Sequence, residues 1–226
     1  MTVKTMMFGR RAAGQTIAEN RRHMKDVHGR LVLDYIAADP QSGPRRYTQN
    51  HGLDGVFPDD EAAPFSLRLC LDFVTQIWFE DLQSLKASRE TPFYNEHLRP
   101  DESRFVDVAH VIGQPFAEEP VGAPVPETAE IKLFVVRPRG ADAIDLVDRL
   151  TAVGARYAGY CRNTAITPGP IAAVDEFWTD GEDAARLLLN HCRQALDAEA
   201  PEAGAPQAKR SAAYLIAREY RLFAGR

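Results

Sequence analysis

Among the six histidines of this chain, His28 has the surroundings that point most directly to chemistry. On a helix over Thr16–Tyr35, plotted at about 100° per residue, Ile17, Met24, Val27, Leu31 and Tyr35 share one apolar stripe. His28 lies inside that stripe. An imidazole so placed reads either as a hydrogen-bonded core group or as a general acid or base at a pocket edge, a role suited to a side chain that titrates near neutrality. Gly29 beside it either kinks the helix or admits a close backbone approach. Tyr47 begins a strand expected to run next to the helix. Its hydroxyl is either satisfied within aromatic packing or aimed at a developing oxyanion. His110, on one face with Val106, Val108 and Ile112 by alternation, is a core histidine or a second proton carrier. Asn50 and His51 end the Tyr47 strand beside a loop, where binding residues often gather. Asp72, Gln76 and Trp78 share one face of a third strand. Trp78 and Trp178 either wall an aromatic ligand or fill the core.

Cofactor and metal signatures are missing from the sequence. No histidine belongs to HxH, HExxH or a His/Cys cluster of ligand spacing. His23 and His28 stand about 140° apart on a regular helix and could not share one ion there. Asp54, Asp59, Asp60 and Glu61 do not follow the EF-hand spacing and read as a solvated loop. Neither a dinucleotide fingerprint nor a phosphate loop occurs. The expectation is therefore no metal and no cofactor.

Composition narrows the class. The 226 residues are 45% hydrophobic and 26% charged, as in a globular domain or two small domains sharing a core. A net charge of −5 without a basic stripe argues against nucleic acid as a partner. No apolar run approaches the ~20 residues that span a membrane. The first residues lack the apolar centre of a signal peptide. Cys70, Cys161 and Cys192 show no CxxC pairing and read as buried thiols, which points to a cytoplasmic protein.

The elements that must position these residues come in a repeating order. Strands are expected at Val3–Phe8, Arg45–Asn50, Leu67–Trp78 and Arg104–Ile112, and helices at Thr16–Ala37 and Glu80–Ser88. The first helix opens with a Thr16/Glu19 capping box. That is the ferredoxin-like β-α-β-β-α-β order. A Pro-rich linker follows at 114–129, and the order begins again. The second set is Ile131–Arg137, Asp142–Val153, Arg156–Asn163, Ala172–Trp178, Gly181–Ala198 and Ser211–Phe223, with a second linker at Glu199–Ala208. FVTQIWFEDLQSL parallels AVDEFWTDGEDAARL, with Trp78 and Trp178 at the same place, and Arg46-Tyr47 parallels Arg156-Tyr157.

The expected architecture is α+β, two tandem ferredoxin-like repeats forming an eight-stranded barrel with helices outside. The repeats are set at 1–113 and 130–226. On the third strand Leu67, Leu69, Leu71, Phe73 and Ile77 would lie under helices. Arg68, Cys70, Asp72, Val74, Gln76 and Trp78 would face either a polar-spotted cavity in the barrel interior or solvent.

The segments HMKDVHGRLV, RRYTQNHG, DFVTQIWFEDLQSLKAS and LRPDESRFVDVAHVI together resemble the EthD family of the dimeric α+β barrel superfamily. The second half resembles the same fold with a more eroded sequence. The resemblance maps the family's helix histidine onto His28. The aligned stretch Val153–Arg156 has none, which implies one competent pocket and one supporting copy. It also implies an aromatic or polyketide-like small molecule as substrate and cofactor-independent dehydration, decarboxylation or isomerisation, although nearby members are monooxygenases or haem-handling proteins. The expected function is a lyase or isomerase in which His28 moves a proton and Tyr47 stabilises an oxyanion. Water, carbon dioxide or formaldehyde are the candidate leaving fragments. A non-catalytic binding protein and a cofactor-free monooxygenase are the alternatives. The duplicated chain suggests a monomer with an internal pseudo-dimer, or a homodimer.

Overall fold

A computed structural model describes residues 2–59, 61, 63–139, 145–197 and 212–225. Eight antiparallel strands follow one another around a closed barrel in the order β1-β3-β2-β8-β5-β7-β6-β4. They are β1 (Val3–Gly9), β2 (Arg46–Val56), β3 (Phe73–Phe79), β4 (Ile112–Val121), β5 (Ile131–Pro138), β6 (Gly159–Ala165), β7 (Ile171–Thr179) and β8 (Ala213–Phe223). β1 lies between β3 and β4, with β2 on the far side of β3. β5 lies between β7 and β8, with β6 beyond β7. The two repeats thus share one strand order. By contact the chain forms two compact units, one of residues 1–51, 71–117 and 219–226, the other of 52–70 and 118–218.

In the first unit one helix, α1, runs through Ile17–Arg22, a π-helical turn at His23–His28, and Gly29–Ala38. Its start is the expected capping box: Thr16 Oγ1 accepts from the Glu19 amide, and the Glu19 carboxylate accepts from the Thr16 amide. The π-turn resets the helical phase, and this breaks the stripe drawn at a constant 100°. Met24, Val32, Tyr35 and Ile36 are buried, but Ile17 and Val27 are about two-fifths exposed, at 40% and 42%.

The third strand begins later than alternation suggests. Phe65–Arg68 is a short helix, α2, and only Phe73–Phe79 is strand. After α3 (Leu82–Ser88), α4 contains a second π-turn, Tyr94–Leu98, and continues through Arg99–Phe105. The stretch read as a fourth strand at Arg104–Ile112 is instead the end of α4 and a turn. Its β-branched residues line that turn, and the true β4 takes up the first part of the Pro-rich segment read as linker.

The second unit carries α5 (Leu146–Ala152) and α6 (Glu182–Asp197). Arg156-Tyr157 precede β6 rather than opening it. The cross-strand partners Arg46↔Trp78 and Gly159↔Trp178 make Tyr160, not Tyr157, the counterpart of Tyr47. The linker expected at Glu199–Ala208 and the start of the helix expected from Asp142 lie outside the described residues. Cys161 and Cys192 are buried, while Cys70 is exposed.

Candidate active site

Alternation sorts the sequence-predicted residues onto two faces of the first sheet. Lys4, Asn50, Gln76 and Trp78 share the face away from the helices. That face carries cross-strand polar contacts. Asn50 donates to the Val74 carbonyl at 2.9 Å and to Gln76 Oε1 at 3.1 Å, and the Lys4 and Arg46 cations lie over the Trp78 ring at 5.0 and 4.1 Å. The second repeat builds the same face with Lys132, Asn163, Glu176 and Trp178. Lys132 pairs with Glu176 at 3.0 Å and stacks over Trp178 at 4.3 Å. Polar residues on this face thus pair largely with one another, while Asn50 Oδ1 is buried without a hydrogen-bond partner.

A cavity lies on the opposite face, between β1, β3 and the helices. Its volume is about 50 Å³. Met7, Val32, Ile77 and Leu98 supply apolar walls, and Thr5, His28, Arg89, Tyr94 and Glu102 supply polar groups. The Thr5 hydroxyl is buried without a hydrogen-bond partner.

His28 is half-buried and is held by a residue the sequence reading missed. Asp101, only 3% exposed, stands between two imidazoles. One of its oxygens is 3.0 Å from His28 Nδ1, and the other is 2.9 Å from His23 Nε2. Phe105 backs both rings, at 4.8 Å from His28 and 5.0 Å from His23. Burial alone would raise the Asp101 carboxyl. Hydrogen bonds from His28 and His23, and then their charges, outweigh it and hold the group below its ordinary range. The carboxylate thus stays ionised near neutrality and orients the His28 ring through Nδ1.

The π-turn makes this possible. Two histidines five residues apart diverge on a regular helix, but an i→i+5 turn brings them onto one side. Only the π-turn, invisible to a constant-period plot, pairs His23 with His28. Among the described residues, no group of three or more His, Cys, Asp or Glu side chains is placed to hold a metal ion.

The other expected site residues have different posts. Tyr47 is fully buried, and its hydroxyl accepts from the Gln49 amide. Burial drives its pKa well above the ordinary phenol value. Together with Tyr35, the cavity is lined by Tyr94, whose hydroxyl donates to Glu102 at 3.1 Å. Its pKa is pushed up to about 12, by burial first and then by the Glu102 charge. His51 is not a loop residue. It is 3% exposed within β2, bonded to Gln49 Oε1 at 3.0 Å and packed on Tyr220. His110 sits in the turn before β4, bonded to Asp107 at 2.9 Å. Asp72 pairs with Arg11 at 2.8 Å and caps its backbone amide.

Among the described residues of the second repeat no histidine–carboxylate pair of this kind occurs. Beneath α5 and α6 its sheet meets Leu133, Val135, Leu146, Leu150, Phe177 and Leu188 in one aliphatic and aromatic cluster. Its polar residues on this face are sealed: Asp175 accepts from the Tyr160 hydroxyl at 2.7 Å and pairs with Arg137 at 3.0 Å. A broad groove of about 880 Å³ runs along α6 past Arg156, Tyr157, Asp180, Leu187 and His191, but no hydrogen bond joins its aspartate to its histidine.

An α+β barrel with a histidine–carboxylate pair under one sheet defines the class. Within it, residues 12–109 match the family model of the EthD domain. Two curated relatives cover the same region. Decarboxylase claH of Passalora fulva is 27% identical over 105 residues, 45% of this chain and 66% of that protein. A decarboxylase of Claviceps purpurea is 27% identical over 103 residues, 44% of this chain and 70% of that protein. Solved structures extend the fold over the whole chain. An anthrone oxidase-like protein covers 98% of this chain and 93% of its own, with a TM-score of 0.53 at 12% identity. A chlorite dismutase variant from Candidatus Nitrospira defluvii covers 98% and 92%, with a TM-score of 0.52 at 11% identity. No helix among the described residues is long and apolar enough to cross a membrane.

Proposed function

We propose that this protein is a cofactor-independent lyase that removes carbon dioxide from a hydroxylated aromatic acid. The observation that carries the reading is His28, fixed through Nδ1 by the Asp101 carboxylate and lining a cavity with mostly apolar walls. The two relatives named decarboxylases support it. In this scheme protonated His28 delivers its Nε2 proton to the ring carbon bearing the carboxylate. The carbon–carbon bond then breaks, its electron pair returns to the ring, and carbon dioxide leaves. Asp101 compensates the positive charge whenever His28 regains a proton. Tyr94 donates to a substrate phenolate in place of the Tyr47 expected from sequence. Arg89, the one guanidinium lining the cavity, draws the anionic substrate to it. The space beneath the sheet is only about 50 Å³, room for a few waters at most, so a substrate must displace lining side chains to occupy it.

The test is an anaerobic incubation of wild type and His28→Ala with a panel of hydroxybenzoic and hydroxylated anthraquinone carboxylic acids, read by mass. A product lighter by carbon dioxide, present with wild type and absent with the variant, is the expected result. A product of unchanged mass, one that forms only in air, or binding without conversion would each overturn the decarboxylase reading.

A further inference from the structure

The geometry points to Gln49 as a positioning residue: its side-chain amide holds the π-turn of α1 and thereby sets His28 and His23 on Asp101. This rests on the reading of His28 as the proton carrier but concerns a residue outside the cavity lining. The π-turn exists because the Met24 carbonyl accepts from the Gly29 amide, five residues on. A carbonyl in a π-turn is displaced from the regular ladder, and α-helical pairing competes for it. Here a second donor occupies it. Gln49 Nε2, projecting from β2, donates to the same Met24 oxygen at 2.6 Å.

The Gln49 amide cannot easily turn away. Its second N–H bonds the Tyr47 hydroxyl, and its Oε1 faces His51 Nε2 at 3.0 Å. Burial, then the charges of Arg21 and Lys25, lowers the His51 pKa to about 4, so His51 is neutral at neutral pH and its Nε2–H is the donor to Gln49 Oε1. Every hydrogen-bonding site used on the amide thus has a buried partner.

Residue 29 completes the arrangement. A Cβ there would stand 3.0 Å from the Met24 oxygen and 3.3 Å from Gln49 Nε2, so glycine lets the helix come down onto the amide. The second repeat supplies a natural control. The residue paired with Asp175 as Gln49 is paired with Thr75 is Arg162. Its guanidinium reaches Asp145 at 3.1 Å and the Tyr160 hydroxyl at 3.3 Å. The helix of that repeat, α5, is regular and carries no histidine. Amide, π-turn and histidine pair occur together in one repeat and, among the described residues, are jointly missing from the helix–sheet contact of the other.

The test reads the histidines directly and needs no substrate, so it stands or falls apart from the decarboxylase reading. Histidine-selective ¹⁵N NMR on the intact chain would follow the imidazole N–H protons bonded to Asp101. The comparison is wild type against Gln49→Met and Gln49→Leu, which keep volume and lose the amide. Thr75→Val, which alters the strand residue opposite Gln49 without touching the turn, serves as control. In the folded Gln49 variants, exchange of the His28 N–H with water should rise about tenfold, the effect of losing one ordinary buried hydrogen bond, while Thr75→Val leaves it unchanged. A change below about twofold in both Gln49 variants would overturn the proposal, being less than a typical hydrogen bond contributes. So would unfolding of both, which would make Gln49 a residue of the general core.

Discussion

The two repeats lay the same four strands in the same order, yet they treat the space between sheet and helices in opposite ways. In the second repeat that space is closed by Leu146, Leu150, Phe177 and Leu188, and its charged residues neutralise one another out of reach of solvent. In the first, helix α1 is interrupted by a π-turn, α4 by another, and a small cavity with His28, Tyr94 and Glu102 in its walls lies among them. The helix–sheet contact rather than the strand plan decides where chemistry is possible. Continuous helices fill a sheet well. An irregular turn leaves room and redirects side chains.

The comparison breaks most visibly through turnover. His28→Asn should lower the rate on a converted acid by about 10²-fold or more, the ordinary worth of a general acid, whereas His191→Asn in the second repeat should leave it unchanged. Steady-state kinetics on both variants decides it, and equal losses would mean that the site is not confined to the first repeat.

Packing gives the next contrast. Leu150→Ala empties a sealed core position and should cost about 2–5 kcal/mol in chemical denaturation. Leu98→Ala, beside space already partly empty, should cost less and should allow bulkier acids to bind. Larger destabilisation at Leu98 would contradict the difference drawn between the two interfaces.

Acid sensitivity should belong to the first repeat. His51 is buried neutral, with its pKa lowered to about 4. The unfolded chain therefore takes up this proton before the folded one. The stability it confers is present above about pH 6.5 and is lost as pH falls toward 4, a loss of about 3 kcal/mol from a shift of that size. His51→Gln, which keeps a donor for Gln49, should flatten the stability curve of the protein across that window. An unchanged acid limb would show that His51 is not the group responsible.

The smallest effect is the most pointed. Thr5→Val removes a buried hydroxyl that has no partner and should raise stability by about 1 kcal/mol. The same change should weaken substrate binding, if that hydroxyl is left unpaired for a ligand. Thermal melts and KM measured on one preparation check both signs.

Much of this was legible from the chain. The duplication, the strand order and the capping box at Thr16 and Glu19 follow from local patterns that the structure keeps. Alternation also sorted Phe73 and Ile77 to the helix side and Gln76 and Trp78 to the other. What it could not say was which side carries the cavity, because that depends on how Lys4, Arg46 and Asn50 are paired across strands. Asp101 was missed for a similar reason. It follows Pro100 in the unassigned stretch between the helix expected to end at Ser88 and the strand expected from Arg104, and nothing in its neighbours announces the two histidines more than seventy residues away. The π-turn hid the His23–His28 partnership, since a wheel of fixed period assigns those residues to different directions. His110 and Tyr47 were singled out by type and spacing, but a turn claims one and Gln49 the other.

The equivalence of Tyr47 with Tyr160 and of Asn50 with Asn163, set against the divergence of Gln49 from Arg162, has a genetic reading. In a barrel assembled from two identical chains every substitution appears twice, so a change that improves one half is imposed on the other. Joining the copies in one reading frame removes that bond. One half can give up its histidine and carry the burden of folding, while the other keeps irregular turns and an orphaned hydroxyl that a symmetric pair would have had to bear twice.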